Sequence, residues 1–496
     1  MTELLQFSDQ VRREASATLA REKRAALGQF LTPAKIAAQM AAMLEDLPNE
    51  VRALDAGAGT GSLIAALCDE LRTWARPPDI LNVRAYEIDR RLQPYLQDVL
   101  ARCESALRTQ GVRFSHQLLI NDFIADAVAQ LQGAAPPAHF NCALVNPPYG
   151  KLRSDSVERQ LLRTVGIETS NLYTAFLALI VKLLEPGGLL CAITPRSFCN
   201  GPYFLPFRRL LMDSMTLRRI HEFTARDVAF REDAVLQETV IFTAVKRSSR
   251  TRVVILSQSS GELETETPPR EVPYDAVLQP NDPERVIHLP RSLVGAAKQL
   301  PMTLAELGVS VSTGRVVDFR ARAALRVRPT RDTVPLLHPV HLRQGRVYWP
   351  LSDCRKAQYI VNDLETETLL FPAGCYVLVK RFSSKEQRRR VTAALCLPEH
   401  IANAKWLGIE NHLNVLFRVS DMLPESLARG LCVFLNSTIL DEAFRQFSGH
   451  TQVNAMDLRR LRFPSRKTLE ILGKTASEET FATQEGIDSL VAKNLS

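Results

Sequence analysis

The tetrapeptide Asn146-Pro147-Pro148-Tyr149 carries the most specific chemistry in the chain. An exocyclic aromatic amine is a poor nucleophile, because its lone pair is delocalised into the ring. The side-chain oxygen of Asn146 and the carbonyl of Pro147 are two acceptors that can take the amine's two hydrogens. Held this way the nitrogen becomes tetrahedral, with its lone pair aimed at an electrophilic methyl. The two prolines restrict the backbone that places the carbonyl. Tyr149 adds a ring that can stack on a base once it has left a helix. No Ser-His-Asp set, carboxylate pair or metal-ligand cluster competes for the role, and no metal is expected.

A second group of residues lies upstream. Asp55-Ala-Gly57-Ala-Gly59-Thr-Gly61 follows an apolar run and precedes a helical pattern. Its glycines let the backbone turn sharply and approach a ligand with no Cβ in the way. The leading residue is acidic, which repels a pyrophosphate but welcomes the ammonium of an amino acid. Tyr86-Glu87-Ile88-Asp89 then offers a carboxylate to a ribose diol. Asn121-Asp122-Phe123 offers a carboxylate to an adenine amino group and a ring to its face. Amino acid, ribose and adenine in that order match S-adenosylmethionine.

The elements that must position these groups read as a parallel α/β sheet. Strands are expected at 51–56, 82–89, 115–122, 142–148, 188–195, 217–223 and 236–245, with helices at 34–46, 62–74, 91–109 and 171–185 between them. A first helix is expected over 8–27, with Ser8 as its N-cap and Gly28 as its stop. The last two strands are joined without a long helix, which predicts an antiparallel edge strand. The expected architecture is a Rossmann-like, mostly parallel seven-stranded sheet over 1–248. A linker or peripheral excursion rich in Ser, Thr and Pro follows over 249–300, and a mixed α+β domain over 301–496. The third segment carries basic patches. KRFSSKEQRRR brings Lys380, Arg381, Lys385, Arg388, Arg389 and Arg390 where phosphates could be gripped. Asn411, His412 and Asn414 are polar groups in an apolar setting, able either to read bases or to satisfy buried backbone.

Composition narrows the class. The 496 residues hold 62 Lys+Arg against 54 Asp+Glu, a net charge of +8, which favours a polyanionic partner such as nucleic acid. No apolar run approaches the ~20 residues that span a bilayer. The polar start is unlike a signal peptide. Nine scattered cysteines without a CxxC pair argue for reduced thiols in the cytoplasm, and against a disulfide frame or zinc site.

GQFLTP (28–33), LDAGAGTGSL (54–63), YEID (86–89), NDF (121–123) and NPPYGK (146–151), in this order, resemble a DNA adenine-N6 methyltransferase. Their order, with a long region after the catalytic half, is that of the gamma class found in restriction–modification systems. The resemblance implies a class I methyltransferase domain using S-adenosylmethionine. It assigns cofactor contacts to Phe30, Thr32, Pro33, Asp55, Ala56, Gly57, Gly59, Glu87, Ile88, Asp122, Phe123 and Asn146. It gives the target amine to Asn146, Pro147 and Tyr149, and nominates Phe230 for the other face of the flipped adenine. It makes 301–496 the target-recognition region for double-stranded DNA, in a cytoplasmic, nucleoid-associated monomer with any restriction endonuclease encoded separately. Protein glutamine methylation shares the NPPY tetrapeptide, but not the GQFLTP segment or the long region after the core. RNA adenine methylation is the other alternative. Cytosine-N4 methylation shares the amine chemistry, but its tetrapeptide more often begins with Ser. A DNA-binding module with an inert catalytic half would not retain Asn146 and Tyr149.

Overall fold

The computed structural model describes residues 1–19, 28–136, 139–223, 238–246, 251–259, 267–290, 300–383, 389–447 and 452–495. The chain divides into two compact units, Met1–Pro290 and Arg291–Ser496.

The first unit is built on a sheet in the order β3-β2-β1-β4-β5-β7-β6-β8-β9. Its strands are β1 (Glu50–Ala56), β2 (Ile80–Tyr86), β3 (Arg113–Leu119), β4 (Phe140–Val145), β5 (Leu184–Pro195), β6 (Met215–Phe223), β7 (Thr239–Lys246), β8 (Val253–Ser259) and β9 (Thr267–Pro273). The five from β3 to β5 are parallel. Period-two alternation sends successive side chains of the central strands to opposite faces. Leu54, Ala56, Ala143, Val145, Leu190 and Ala192 enter one core cluster. Val51, Ala53, Cys142, Leu144, Leu189 and Cys191 enter the other. Helix Leu172–Leu183 covers the first face through Leu177 and Ile180. Helices Ser62–Leu71 and Gln93–Arg108 cover the second through Leu63, Leu67, Val99 and Leu100. Burial on both faces explains why these strands read as continuous apolar runs.

Two expectations need correction at the β6 side of the sheet. Residues 249–300 are not simply a linker: β8 lies parallel to β6, and β9 returns antiparallel to β8. Among the described residues the sheet therefore has nine strands where seven were expected, and the first unit runs to Pro290. The polar, proline-rich sequence of β9 suits an edge strand, where pairing is one-sided. At this side β7 lies between β5 and β6, antiparallel to both, and the edge strand is β9, antiparallel to β8. The first helix also differs. It spans Glu3–Thr18 with Thr2 as its N-cap, and Ser8 is buried within it. Residues 20–27 lie outside the described residues.

The second unit is mixed α and β. Among the described residues it holds a six-stranded and a five-stranded sheet, with helices including Glu425–Leu435 and Arg466–Thr475. Its apolar centre joins Leu378, Ala394, Leu407, Ile409, Leu413 and Val415.

Candidate active site

Strand order reverses between β1 and β4, where the connections run off to opposite sides and leave a crevice beyond the strands' carboxyl ends. A cavity of about 400 Å³ opens there. The four sequence segments converge on it: Phe30 and Thr32, Gly57 and Gly59, Glu87 and Ile88, and Asp122 and Phe123, with Asn146 and Pro148. Pro33, Asp55, Ala56, Pro147 and Tyr149 are not among its lining residues. Phe230 lies outside the described residues.

Asn146, at the end of β4, is held by the segment that precedes the glycine loop. Its Nδ2 donates to the Phe30 carbonyl at 2.8 Å and to Thr32 Oγ1 at 3.0 Å. A carbonyl can only accept, so these partners fix which end of the amide is nitrogen. Oδ1 is thereby left to accept, and it takes the Tyr149 hydroxyl at 3.2 Å. The Tyr149 ring stands 5.2 Å from Phe30 and 6.0 Å from Tyr173. Burial pushes its phenol well above the ordinary tyrosine range, so it remains a donor.

The GQFLTP segment is fitted to its neighbours by backbone geometry. Gly28 has φ +65°, and a Cβ there would lie 2.0 Å from the Tyr149 carbonyl oxygen. The Tyr149 N–H donates to Gly28 O at 3.0 Å, so the two loops touch backbone to backbone. Gly59, with φ +58°, lies against Leu31, whose Cδ2 would be 3.0 Å from an added Cβ. Helix Ala34–Ala41 follows, and its N-cap Pro33 makes no side-chain cap bond. Asp9 of the first helix serves instead: its Oδ1 accepts from Ala34 N at 3.3 Å and from Arg12 Nε at 2.9 Å. The N-terminal helix thus anchors the segment that grips Asn146.

Glu87 is buried, and burial raises its pKa to about 7 despite backbone donors that include Asp89 and Gly59. Asp89 N donates to Oε1 at 2.8 Å and Gly59 N to Oε2 at 2.9 Å; Gln29 Nε2 adds a side-chain bond to Oε1 at 3.1 Å. Asp122 caps helix Phe123–Leu131 with Oδ1, accepting from Ile124 N at 2.8 Å. Among the described residues its Oδ2 has no protein partner. Ile88 is 55% exposed at the cavity wall, while Phe123 is buried edge-on to Tyr86. Asp55 is also buried, and among the described residues neither carboxylate oxygen has a hydrogen-bond partner. Desolvation, with Glu87 nearby, pushes its pKa well up.

Sequence reasoning missed several cavity residues. Phe176 comes from the helix that begins at Leu172, and Arg153, Ser156 and Glu158 from the stretch after NPPYGK. Asn171 N-caps that helix, and Leu172 N–H donates to Gly150 O at 2.9 Å, tying it to the tetrapeptide's loop. The apolar spacing predicts this helix, and Thr169–Tyr173 resembles a family helix start near the cofactor pocket, where Leu172 indeed lines the cavity; Phe176, one turn on, was not anticipated.

The basic run of the second unit reads differently in three dimensions. Arg390 is 1% exposed: its N–H donates to Asp441 Oδ1 at 2.7 Å and its Nε to Ser383 Oγ at 3.1 Å. Arg389 donates to Gln484 Oε1 at 2.9 Å and to the Asn436 carbonyl. These two arginines knit the second unit together, and Arg390 is corrected from a phosphate contact to a buried structural residue. Lys385 and Arg388 lie outside the described residues. Among the described residues no His/Cys/Asp/Glu group is arranged to hold a metal ion. No described helix is long and apolar enough to cross a membrane.

An α/β sheet with this crevice, the glycine loop and the NPPY tetrapeptide define a methyltransferase, and the comparisons agree. Residues 103–230 match the family model of the Eco57I restriction-modification methylase. The chain is 39% identical to the type II methyltransferase M.PstI of Providencia stuartii, over 98% of this chain and 96% of that one. It is 40% identical to the type II methyltransferase M.BsuBI of Bacillus subtilis, over 96% of this chain and 95% of that one. The type IIL restriction-modification enzyme MmeI, solved in complex with DNA, shares the fold. It has a TM-score of 0.52 and 11% identity, over 90% of this chain and 69% of that one. The chain belongs to the type II DNA methyltransferases of restriction–modification systems.

Proposed function

We propose that the chain transfers a methyl group from S-adenosylmethionine to the exocyclic N6 of an adenine flipped out of duplex DNA. It would act as the modification partner of a separately encoded endonuclease. The observation that carries this reading is Asn146, whose amide donors are both taken by the Phe30–Thr32 segment, so that Oδ1 can only accept.

The cavity residues fit the cofactor chemically. Ile88 and Phe123 offer apolar surface to an adenine ring, and Asp122 keeps a carboxylate oxygen without a protein donor. Glu87 Oε2 accepts one backbone N–H and retains a second lone pair for a ribose hydroxyl. Asp55 sits at the head of the glycine loop but is buried off the cavity wall, and is assigned no cofactor contact. When bound, S-adenosylmethionine supplies an electrophilic methyl on a sulfonium.

Asn146 Oδ1 then accepts one amine hydrogen, taking over the place held by the Tyr149 hydroxyl, and the Pro147 carbonyl accepts the other. These bonds strengthen as positive charge develops on the nitrogen, which is where preorganised acceptors lower a barrier most. Transfer would be a direct displacement without a covalent enzyme intermediate: the N–CH3 bond forms as the S–CH3 bond breaks, the sulfur leaves as a neutral thioether, and the amine's surplus proton passes to solvent. Tyr149 offers its ring to the flipped base. Residues 301–496 select the sequence.

Asn146→Ala should bind S-adenosylmethionine as the wild type does and lose ~10²–10³-fold in transfer rate. Calorimetry with the cofactor and a single-turnover methylation assay on duplex DNA would check both halves. Near-wild-type transfer would sink the assignment of Asn146.

A further inference from the structure

In the second unit a buried carboxylate is committed to one surface side chain. Glu410 is 0% exposed. One of its oxygens accepts the His412 backbone N–H at 3.1 Å, and the other meets the Nδ1 of the same residue's ring. The His412 side chain is 44% exposed. Withdrawing a carboxylate from water is costly unless it is well paired. Here the pairing fixes the rotamer of a surface imidazole and places a proton on Nδ1, leaving Nε2 directed away from the carboxylate. Among the described residues Nε2 has no partner.

The ring is not alone. Phe382 is 45% exposed, and its ring lies 4.9 Å from that of His412 at an interplanar angle of 55°. Arg381 holds the two together. Its N–H donates to the His412 carbonyl at 2.8 Å, its side chain donates to Asn411 O at 3.3 Å, and its own carbonyl accepts Val453 N–H at 2.7 Å. Lys380, immediately before it, pairs in register with Leu413 across neighbouring antiparallel strands. The result is a hydrogen-bonded tip: an apolar ring beside a ring with one outward hydrogen-bonding nitrogen, next to Lys380 and Arg381 in the chain.

We propose that this tip contacts base edges of duplex DNA. His412 Nε2 would make one hydrogen bond in the groove, Phe382 would lie against the adjacent base, and Lys380 and Arg381 would sit near phosphates. The inference rests on the reading of 301–496 as the sequence-recognising region. A fixed single-nitrogen reader discriminates because a base presenting the wrong group leaves it unpaired. Glu410 is a positioning residue and touches no base.

The test is to sequence the methylated bases in DNA from cells expressing the full chain or its His412→Ala, His412→Gln and Phe382→Ala variants. The wild type should mark one defined sequence. His412→Ala and Phe382→Ala should mark it too, but with preference at one neighbouring base pair relaxed by about tenfold. His412→Gln, which keeps a polar group but not the fixed ring, should relax the same position. Unchanged stringency at every position in all three variants, with the wild type active, would overturn the inference and leave the DNA methyltransferase reading intact. A wild type that marks no DNA would remove both.

Discussion

Two carboxylates, Glu87 and Asp122, line the crevice, a third, Asp55, is enclosed behind it, and the three environments differ. Asp122 is partly solvated and helix-capping; Asp55 is buried without a partner; Glu87 lies between, buried but held by backbone donors. With its pKa raised to about 7, Glu87 is only partly charged near neutrality, and it is the charged form that accepts best from a ribose diol. The free protein's efficiency with S-adenosylmethionine should therefore fall as pH drops through about 7, and Glu87→Gln should flatten that acid limb. A pH profile of kcat/KM for the cofactor checks this; an unchanged limb in the variant would assign it elsewhere. The stability sign is opposite. The folded state holds the proton more tightly than the unfolded one, whose value is near the ordinary 4.5. Glu87's contribution is therefore present below 4.5 and is lost as pH rises through about 7. Residue types at this scale were legible. Glu87, Ile88, Asp122, Phe123 and Asn146 could be named from strand-end motifs, because each follows an apolar run that must end at one edge of a parallel sheet. Burial was not legible: Asp55 was expected to face an ammonium, yet its carboxylate is enclosed and absent from the cavity wall.

At the scale of elements, the geometry depends on one loop lying on another. The φ of Gly28 and its contact with the Tyr149 carbonyl mean that a methyl group there must push the GQFLTP segment off the NPPY loop. Gly28→Ala should cost about 1–2 kcal/mol in stability from the backbone conformation alone. Its larger effect should be on transfer. Displacing Phe30 and Thr32 by ~1 Å lets Asn146 rotate, which should lower the rate ~10²-fold at saturating cofactor. Thermal unfolding and single-turnover rates on one preparation separate the two effects; a destabilised variant with full activity would show that the segment does not position Asn146. The helices between the strands could be anticipated because apolar spacing survives without knowledge of partners. The N-cap of the first helix could not. Ser8 has good capping chemistry, but Thr2 begins the helix and the Ser8 position faces the core. Nor could sequence show that Asp9, on the same helix, caps the one that follows GQFLTP, since that bond spans 25 residues.

For the molecule as a whole, the division of the chain falls at 290 and not at 248. The strands β8 and β9 extend the sheet from β6, burying Val254, Leu256 and Val272 against the first unit's core. A fragment ending at 248 would expose the β6 edge and that apolar surface, and it should aggregate. A fragment of 1–290 should stay soluble and bind S-adenosylmethionine, yet bind DNA without sequence preference. Size-exclusion chromatography and cofactor calorimetry on both fragments check this, and equal behaviour of the two would contradict the role given to β8 and β9. Strands β8 and β9 escaped sequence reading because the short apolar run of β8 is set among Ser-, Thr- and Pro-rich segments of the kind found in linkers. The basic run near 385 was misleading for a related reason. Charge alone does not distinguish an arginine that meets phosphate from one, such as Arg390, that is enclosed beside Asp441 and Phe444. The central claim, transfer to an adenine amine in DNA, is tested most directly by product identity. Full-length protein, methyl-labelled S-adenosylmethionine and duplex DNA should be incubated together and the DNA digested to nucleosides. The label should appear in N6-methyladenosine of the deoxy series and be absent when Asn146→Ala replaces the wild type. Label in N4-methylcytosine, or transfer only to RNA or protein offered alongside the duplex, would contradict it.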